Sequence, residues 1–586
     1  MSKLGDWLDE RLDHRRRIAS LLDHPLSGGP SWASSMAKTL GVLLAVEVAT
    51  GIGLETSYAA AETTAWASVY YTQNVATLGW FLRGAHHFAG EGMLVLAALH
   101  LAMLAITGGG QRPREVGFFV SLAAVALVAG ACISGEALPW DQQGYWARKV
   151  ELAVGGAMPG GASLVRVVTG DGSLGALALT RFHAIHVAIV PIVLALLLRL
   201  RGRSERTHAR ALAARHSVSI AYFPRQAARD VALALSVLLA VSWIAYRAHG
   251  APLDGPAEPR SDYPARPEWY LLWLFELRHH IKGKLELPLT ALAPFVLGFG
   301  FASLPWVSRG ARGISRAGVA VVVASVVAIG GLTFVALRRD AHDDAFRAAV
   351  HKSEVRTSHA MRIAAGGVPP DGPLAMLDRD PELRGEALFA KHCATCHVLG
   401  DLGDAKKPAS PSLDGFGTEK WVLATLHDPD STDRFGNTPY RGEMPSQDVP
   451  PKEDAEKFRP LGKDESAAVA AFLTAQGDDE RTGTWDAATL SVGEKIVADR
   501  CTTCHLLRCA GDDGGEALAP ELAGYGSLAW IRAQIDDPSS KTTYRENALD
   551  PQRKGHMPAF ASELSASDRD IVARWTRARG RGLAFK

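Results

Sequence analysis

The chain lacks net charge: 63 basic residues stand against 62 acidic ones in 586. That balance gives no reason to expect a nucleic acid or another polyanion as partner. It has no Walker string and no dinucleotide fingerprint, so nothing in it points to a nucleotide cofactor. No cleavable leader is visible; Trp7-Leu8-Asp9-Glu10-Arg11-Leu12 reads as an amphipathic interfacial helix within segment 1–32, and the first apolar run as an uncleaved anchor. Cysteine is scarce, six in all. Cys132 falls in an apolar run and reads as an inert buried thiol, and Cys509 takes no role. The other four stand in two strings, Cys393-Ala-Thr-Cys396-His397 and Cys501-Thr-Thr-Cys504-His505.

Each string is a C-x-x-C-H, the attachment signal of a c-type haem. Two thiols add to the haem vinyl groups and the histidine becomes an axial ligand of the iron. A zinc site would want a second ligand pair per string, and a thiol redox site has no use for the histidine. Met444-Pro445 and Met557-Pro558 follow downstream, and methionine sulfur is a common sixth ligand that raises the potential. His397 with Met444 and His505 with Met557 are therefore the expected axial pairs. Two modules, 381–477 and 485–581, form a repeat in which a helical pattern leads into the string and an apolar periodic segment closes the module. Residues 341–380 read as a charged linker with short helical stretches. Covalent haem attachment places this third of the chain outside the bacterial cytoplasm.

Residues 1–340 are apolar. Seven runs near 33–56, 80–106, 116–138, 181–200, 230–248, 287–307 and 317–337 are each long enough to span a bilayer, which takes about 20 residues. With the N-terminus in the cytoplasm, the basic segments at Arg15–Arg17, Arg112–Arg114, Arg199–Arg229 and Arg309–Arg316 all fall inside, and the loop after the first span has no Lys or Arg. Seven spans then deliver residue 341 onward to the outer side of a bacterial plasma membrane.

Histidines inside such spans are functional by default. The second span carries His86 and His100 on one face, fourteen residues and about 21 Å apart. The fourth opens Thr180-Arg181-Phe182-His183-Ala-Ile-His186 and runs to Pro191. Opposed histidines on neighbouring helices clamp a haem in a bundle. Pro267-Glu268-Trp269-Tyr270 adds a carboxyl in an apolar setting, which raises its pKa and suits proton acceptance. Trp140, Tyr145, Trp269 and Tyr270 offer flat walls.

Over roughly residues 5–340 the chain resembles cytochrome b of the quinol:cytochrome c oxidoreductases, and is closest to the split form of photosynthetic membranes. Arg83-x-x-His86 with His100, Thr107-Gly-Gly-Gly-Gln-Arg-Pro113-Arg114-Glu115, Leu138-Pro139-Trp140-Asp141-Gln142 with Gly144-Tyr145-Trp146, Thr180-Arg181-Phe182…His186…Pro191 and Pro267-Glu268-Trp269-Tyr270 carry the likeness. The remainder resembles two class I cytochromes c. The resemblance implies an all-α fold: a four-helix haem-binding core (33–228), a three-helix part like subunit IV with the P-E-W-Y loop (229–340), and two small helical cytochrome c domains. It implies quinol oxidation near the outer surface, with Glu268 as proton acceptor behind Pro267. Electrons would pass through a separate Rieske protein to the two c haems and on to a downstream cytochrome c or terminal oxidase, in a homodimeric, lipid-embedded complex. The chain holds no Rieske ligand pattern of its own. A membrane-anchored electron conduit that does not itself oxidise quinol is the other reading.

The likeness breaks at the cytoplasmic end. The outer b haem has His86, His186 and the small residues Gly51 and Gly135. For the inner one, His100 should meet a histidine where Leu200 and Arg201 stand. Ala37-Lys38 replaces paired glycines, Ser121 replaces a glycine, and Ser35 replaces the extra-haem cysteine. A guanidinium has no lone pair for iron. An inner site that is empty or unusually ligated is expected, so that one b haem accompanies two c haems. The alternative is that helix four ends early and His208 or His216 folds back to ligate; on an unbroken helix His208, twenty-two residues and about 33 Å past His186, overshoots.

Overall fold

A computed structural model describes residues 3–585 except 23–25, 27–28, 214–220, 309–313, 407, 450–458, 479–482, 508–518, 541–542 and 544–556. His216, Cys509 and Arg309 lie outside the described residues. The chain divides into two compact units, Met1–Met376 and Leu377–Lys586. Among the described residues both are helical, with only isolated bridges at Asp141–Pro256 and Leu399–Leu402.

In the first unit every uncharged run becomes a helix: seven described helices are long and apolar enough to cross a membrane. They are α1 (Trp32–Glu55), α2 (Gly79–Ile106), α3 (Glu115–Glu136), the fourth span below, α7 (Arg225–Ala248), α9 (Glu286–Val307) and α10 (Arg316–His342). Their ends follow from side-chain caps. Ser31 accepts from Ala33 N–H at the head of α1, Asp141 from Gly144 N–H at α4 (Gln142–Gly156), and Ser315 from Gly318 N–H at α10.

The fourth span is α5 (Ala176–Ala184), a π-helical turn Ile185–Ile189, and α6 (Val190–Ala213). Pro191 explains the turn. It has no N–H for the Val187 carbonyl, and its ring crowds that oxygen. The chain widens there, and Val190 N–H reaches back five residues to the Ile185 carbonyl. The span then continues without a break past His208 to Ala213.

Helix α2 is the central post, packed by α1, α3 and α7. Leu40, Leu43, Met93, Leu96, Val128 and Val241 form the core there. The segment after α7 is bolted over the start of α4. Gln142 N–H donates to Gly255 O, Ala257 N–H to Trp140 O, and the Arg83 guanidinium to the carbonyls of Ala251 and Pro252. It leads through Pro267–Tyr270 into α8 (Leu272–His280). Residues 341–380, expected to be a linker, hold α11 (Asp344–Ala364), whose Thr357 and Arg356 bond Asp254, Gly255 and Glu258 of that segment.

The second unit holds a visible repeat. Helices α12 (Pro381–His392) and α15 (Ala487–Ile496) are capped by Asp380 and Asp486. Helices α13 (Glu419–His427) and α16 (Leu528–Asp536) are capped by Thr418 and Ser527. Helices α14 (Lys463–Gln476) and α17 (Ala566–Arg581) close each half. Trp421 and Trp530, three residues past the second caps, each donate an indole N–H to a loop carbonyl, of Ser412 and Glu521.

Candidate functional site

The periodicity of α2 and the π turn of the fourth span bring His86 and His186 together. Their ring centroids are 6.0 Å apart. Metal–imidazole bonds of about 2 Å on either side of one iron need roughly that separation. Both rings bond through Nδ1: His86 to Glu47 Oε2 and Thr50 Oγ at 3.0 Å each, His186 to Ser134 Oγ and the Ala131 carbonyl at 3.1 Å each. Such outer partners fix the tautomer and leave Nε2 to a metal. A Cβ on Gly51 would sit 3.3 Å from His86 Cε1, and one on Gly135 2.8 Å from His186 Cε1. Only glycine leaves the rings this room. The residues fit a bis-histidine haem. Glu47, Thr50 and Ser134 were not picked out from the sequence. Their signal was polarity inside an apolar span.

Fourteen residues along α2, His100 is 1% exposed, and neither ring nitrogen reaches hydrogen-bond geometry. A buried orphan of this kind asks for a partner. No histidine stands on the fourth span at that level, where Leu200 and Arg201 occupy the two positions. Arg201 donates from Nε to Ser121 Oγ at 3.1 Å and from NH1 to Glu205 at 3.0 Å. Lys38 is engaged too: its Nζ lies 2.7 Å from Asp230, which also accepts from Ser35, Tyr222 and Gln226. Lys38 and Arg201 thus satisfy their charges within the bundle. The residues at this end do not fit a bis-histidine haem.

The six residues expected around quinol fall into two groups. Trp140 and Tyr145 meet edge to face at 5.6 Å and line a cavity of about 230 Å³ with Glu62, Leu174, Pro256 and Ala257. Glu268 does not line it. It lies on the other side of α4, where Gln143 Nε2 donates to its carboxylate at 3.4 Å and to the Arg266 carbonyl at 2.6 Å. Gln143 in turn accepts from Tyr263. Burial pushes Glu268 up to about 7, and the neighbouring Glu136 carboxylate adds to the rise. Glu136 holds His87 Nδ1 at 3.1 Å and belongs to the turn that carries Gly135. The Trp269 indole donates to Glu91 at 2.6 Å and half of the residue is exposed. Tyr270 packs on the α2 core with its buried hydroxyl unpartnered among the described residues. Pro267 and Glu268 precede the short helix Trp269–Leu271. Gln143 and Glu136 were not picked out from the sequence and His87 was given no role, although an ionisable pair inside two spans is itself a signal.

In the second unit both C-x-x-C-H strings form tight turns, with His397 N–H and His505 N–H bonded to the carbonyls of Cys393 and Cys501. The thiols of Cys393, Cys396, Cys501 and Cys504 are unpaired. Burial and the adjacent Cys396 push Cys393 up to about 12; burial also raises Cys501. His397 Nδ1 bonds the Pro411 carbonyl at 2.9 Å and His505 Nδ1 the Pro520 carbonyl at 2.8 Å, which again leaves each Nε2 free for iron. Burial lowers both imidazoles, favouring the neutral, ligating form. The residues fit covalent haem in both halves. Met444 packs in the cluster of Cys501, Val497 and Leu507, and Met557 in that of Cys393, Phe389 and Leu399. The closing part of each repeat folds onto the opening part of the other, so each methionine shares its apolar cluster with the first haem cysteine of the other string.

Residues 23–201 match the family model described as cytochrome b/b6/petB, and residues 383–476 that of cytochrome c. A solved chain described as "Hyperthermophilic respiratory Complex III" is similar at 20% identity and a TM-score of 0.49, over 60% of this chain and 97% of that one. The matched families leave out Pro267–Tyr270 and Cys501–His505. The chain thus joins a cytochrome b/b6 domain at its apolar end to a cytochrome c domain at its polar end.

Proposed function

We propose that this chain is the membrane subunit of a quinol:cytochrome c oxidoreductase and oxidises quinol beside the His86–His186 site. The observation that carries the reading is Glu268, a buried carboxyl raised toward neutrality and held by Gln143 beside the Glu136–His87 pair. Quinol gives up two protons and two electrons on becoming quinone. A base poised near the working pH takes a proton best. Glu268 accepts one at its carboxylate, and Glu136 with His87 offers a second acceptor. Trp140 and Tyr145 on one side of α4 and Tyr270 on the other supply apolar surface for the ring. Two b-type ligands, His86 and His186, stand at this end of the bundle. A haem held by His86 and His186 would supply one-electron transfer, and Cys393/Cys396 and Cys501/Cys504 would hold the c haems that serve the other branch, reached through a separate Rieske protein. The side of the bacterial plasma membrane bearing Glu268 is the outer one, where haem c is attached.

Arg201 favours a second reading at the His100 end. Without a second histidine there, electrons have no bis-histidine stop on the far side of the bundle, as a conduit between outer partners would tolerate. Quinol titration of the purified complex decides between them. Glu268→Gln is expected to slow quinol oxidation about 10²-fold, the usual loss for a general base, with every haem retained. Wild-type turnover in that variant would favour the conduit.

A further inference from the structure

In the second unit the helices of the two repeats pack on one another. The first helix of repeat one, α12, packs on the last helix of repeat two, α17. A Cβ on Gly385 would fall 2.5 Å from Trp575 Cβ, so the helices cross at that glycine. Phe389 and Trp575 lie 5.3 Å apart by ring centroid, and Arg384 bonds Asp568 at 2.6 Å. The reciprocal crossing joins α15 of repeat two to α14 of repeat one. There a Cβ on Gly493 would fall 2.1 Å from the Ala468 carbonyl oxygen and 2.7 Å from Phe472 Cβ.

The middle helices follow the same exchange. Trp421, Val422 and Leu426 of α13 share a core with Val497, Leu507 and Leu522 of repeat two. Ile531 and Ile535 of α16 share theirs with Phe389 and Leu399 of repeat one. The strands of chain cross at Gly415-Phe416-Gly417 and Gly524-Tyr525-Gly526. All four glycines have φ between 65° and 73°, a conformation glycine takes without strain. Phe416 and Tyr525 meet there at 5.5 Å, Gly415 N–H donates to Gly580 O, and Arg581 ties the carbonyls of Gly477 and Gly526.

We propose that each haem c site is built from exchanged halves: the haem joined to Cys393 and Cys396 takes His397 and Met557, and the haem joined to Cys501 and Cys504 takes His505 and Met444. This rests on the reading that both strings carry haem. Each methionine packs against the apolar cluster that holds the other repeat's first haem cysteine, and each string's histidine is oriented within its own half. Neither site is complete within one repeat.

The test uses the full membrane chain. Cys501→Ala with Cys504→Ala leaves one covalent haem, on Cys393 and Cys396. In that background Met557→Ala is expected to abolish the methionine–iron charge-transfer band and lower the haem's potential, and Met444→Ala to leave both unchanged. The opposite result overturns the exchange. A second arm keeps both haems and places a protease site after Asp478. After cutting, the two fragments are expected to remain associated with both bands intact, and to lose both bands together when mild denaturant separates them. Fragments that part and each keep a band overturn the exchange. A stain and mass count showing no haem on Cys501 and Cys504 in the unaltered chain would instead remove the premise, and is read separately from the band.

Discussion

At the scale of single residues, the proposed function rests on pKa and on room. Glu268 owes its raised pKa first to burial and then to Glu136, so its proton is held until the pH approaches about 7. The sign is set by which form works. Below that pH the carboxyl already carries its proton and cannot accept another; above it the carboxylate is free to do so. Quinol oxidation by the wild-type complex is expected to rise with pH through about 7 and then level off. Glu268→Gln is expected to lose that inflection along with the rate, and an unchanged profile in the variant would take the acceptor role away from Glu268. The sequence made this residue legible because a lone carboxyl in Pro267-Glu268-Trp269-Tyr270 stands out. It did not make Gln143 or Glu136 legible, since their roles come from which face of α4 and α3 they occupy. It also placed Trp140 and Tyr145 with Glu268, whereas α4 stands between them: residues at the head of one helix point to different sides within a single turn.

At the scale of elements, the seven spans were readable because uncharged runs of this length have one stable fate in a bilayer. The placement of His86, His100 and His186 was equally readable, since helical period and spacing determine it. The π turn was not foreseen; its cause, Pro191, acts through a missing N–H rather than through the apolar pattern. The same fourth span carries the clearest departure from a two-haem bundle. Arg201 sits 9% exposed, bonded to Ser121 and Glu205, at the end that holds the buried His100. If that arginine is what excludes a second haem, replacing it should admit one. The unaltered chain is expected to carry b and c haems at 1:2 by pyridine haemochrome, and Arg201→His to raise the ratio toward 2:2. A 2:2 ratio with ordinary bis-histidine spectra in the unaltered chain would refute this.

At the scale of the whole molecule, pairing between distant segments decides what local pattern cannot. The repeat in the second unit was legible from its strings and helices. Which half folds onto which was not, because tandem and exchanged arrangements bury the same residues against equivalent neighbours. Trp575→Ala is expected to cost about 3–5 kcal/mol, the usual range for a buried aromatic. The loss should loosen the surroundings of Cys393, nearly two hundred residues upstream, measured as a lower midpoint for the haem on that string. A change confined to the haem on Cys501 would point to the tandem arrangement. The partner requirement belongs to this scale as well. A Rieske cluster needs two cysteines and two histidines. Four of the six cysteines are taken up by the two haem strings, Cys132 lies within α3, and Cys509 stands without the spaced partners a cluster needs. On the proposed function, Glu268 accepts a proton from quinol, and the first electron toward the c haems needs a Rieske protein that this chain's cysteines do not supply. The purified chain alone is expected to show no quinol:cytochrome c activity, and to recover it when a Rieske protein from the same membrane is restored. Full activity from the chain alone would show that electrons reach the c haems directly.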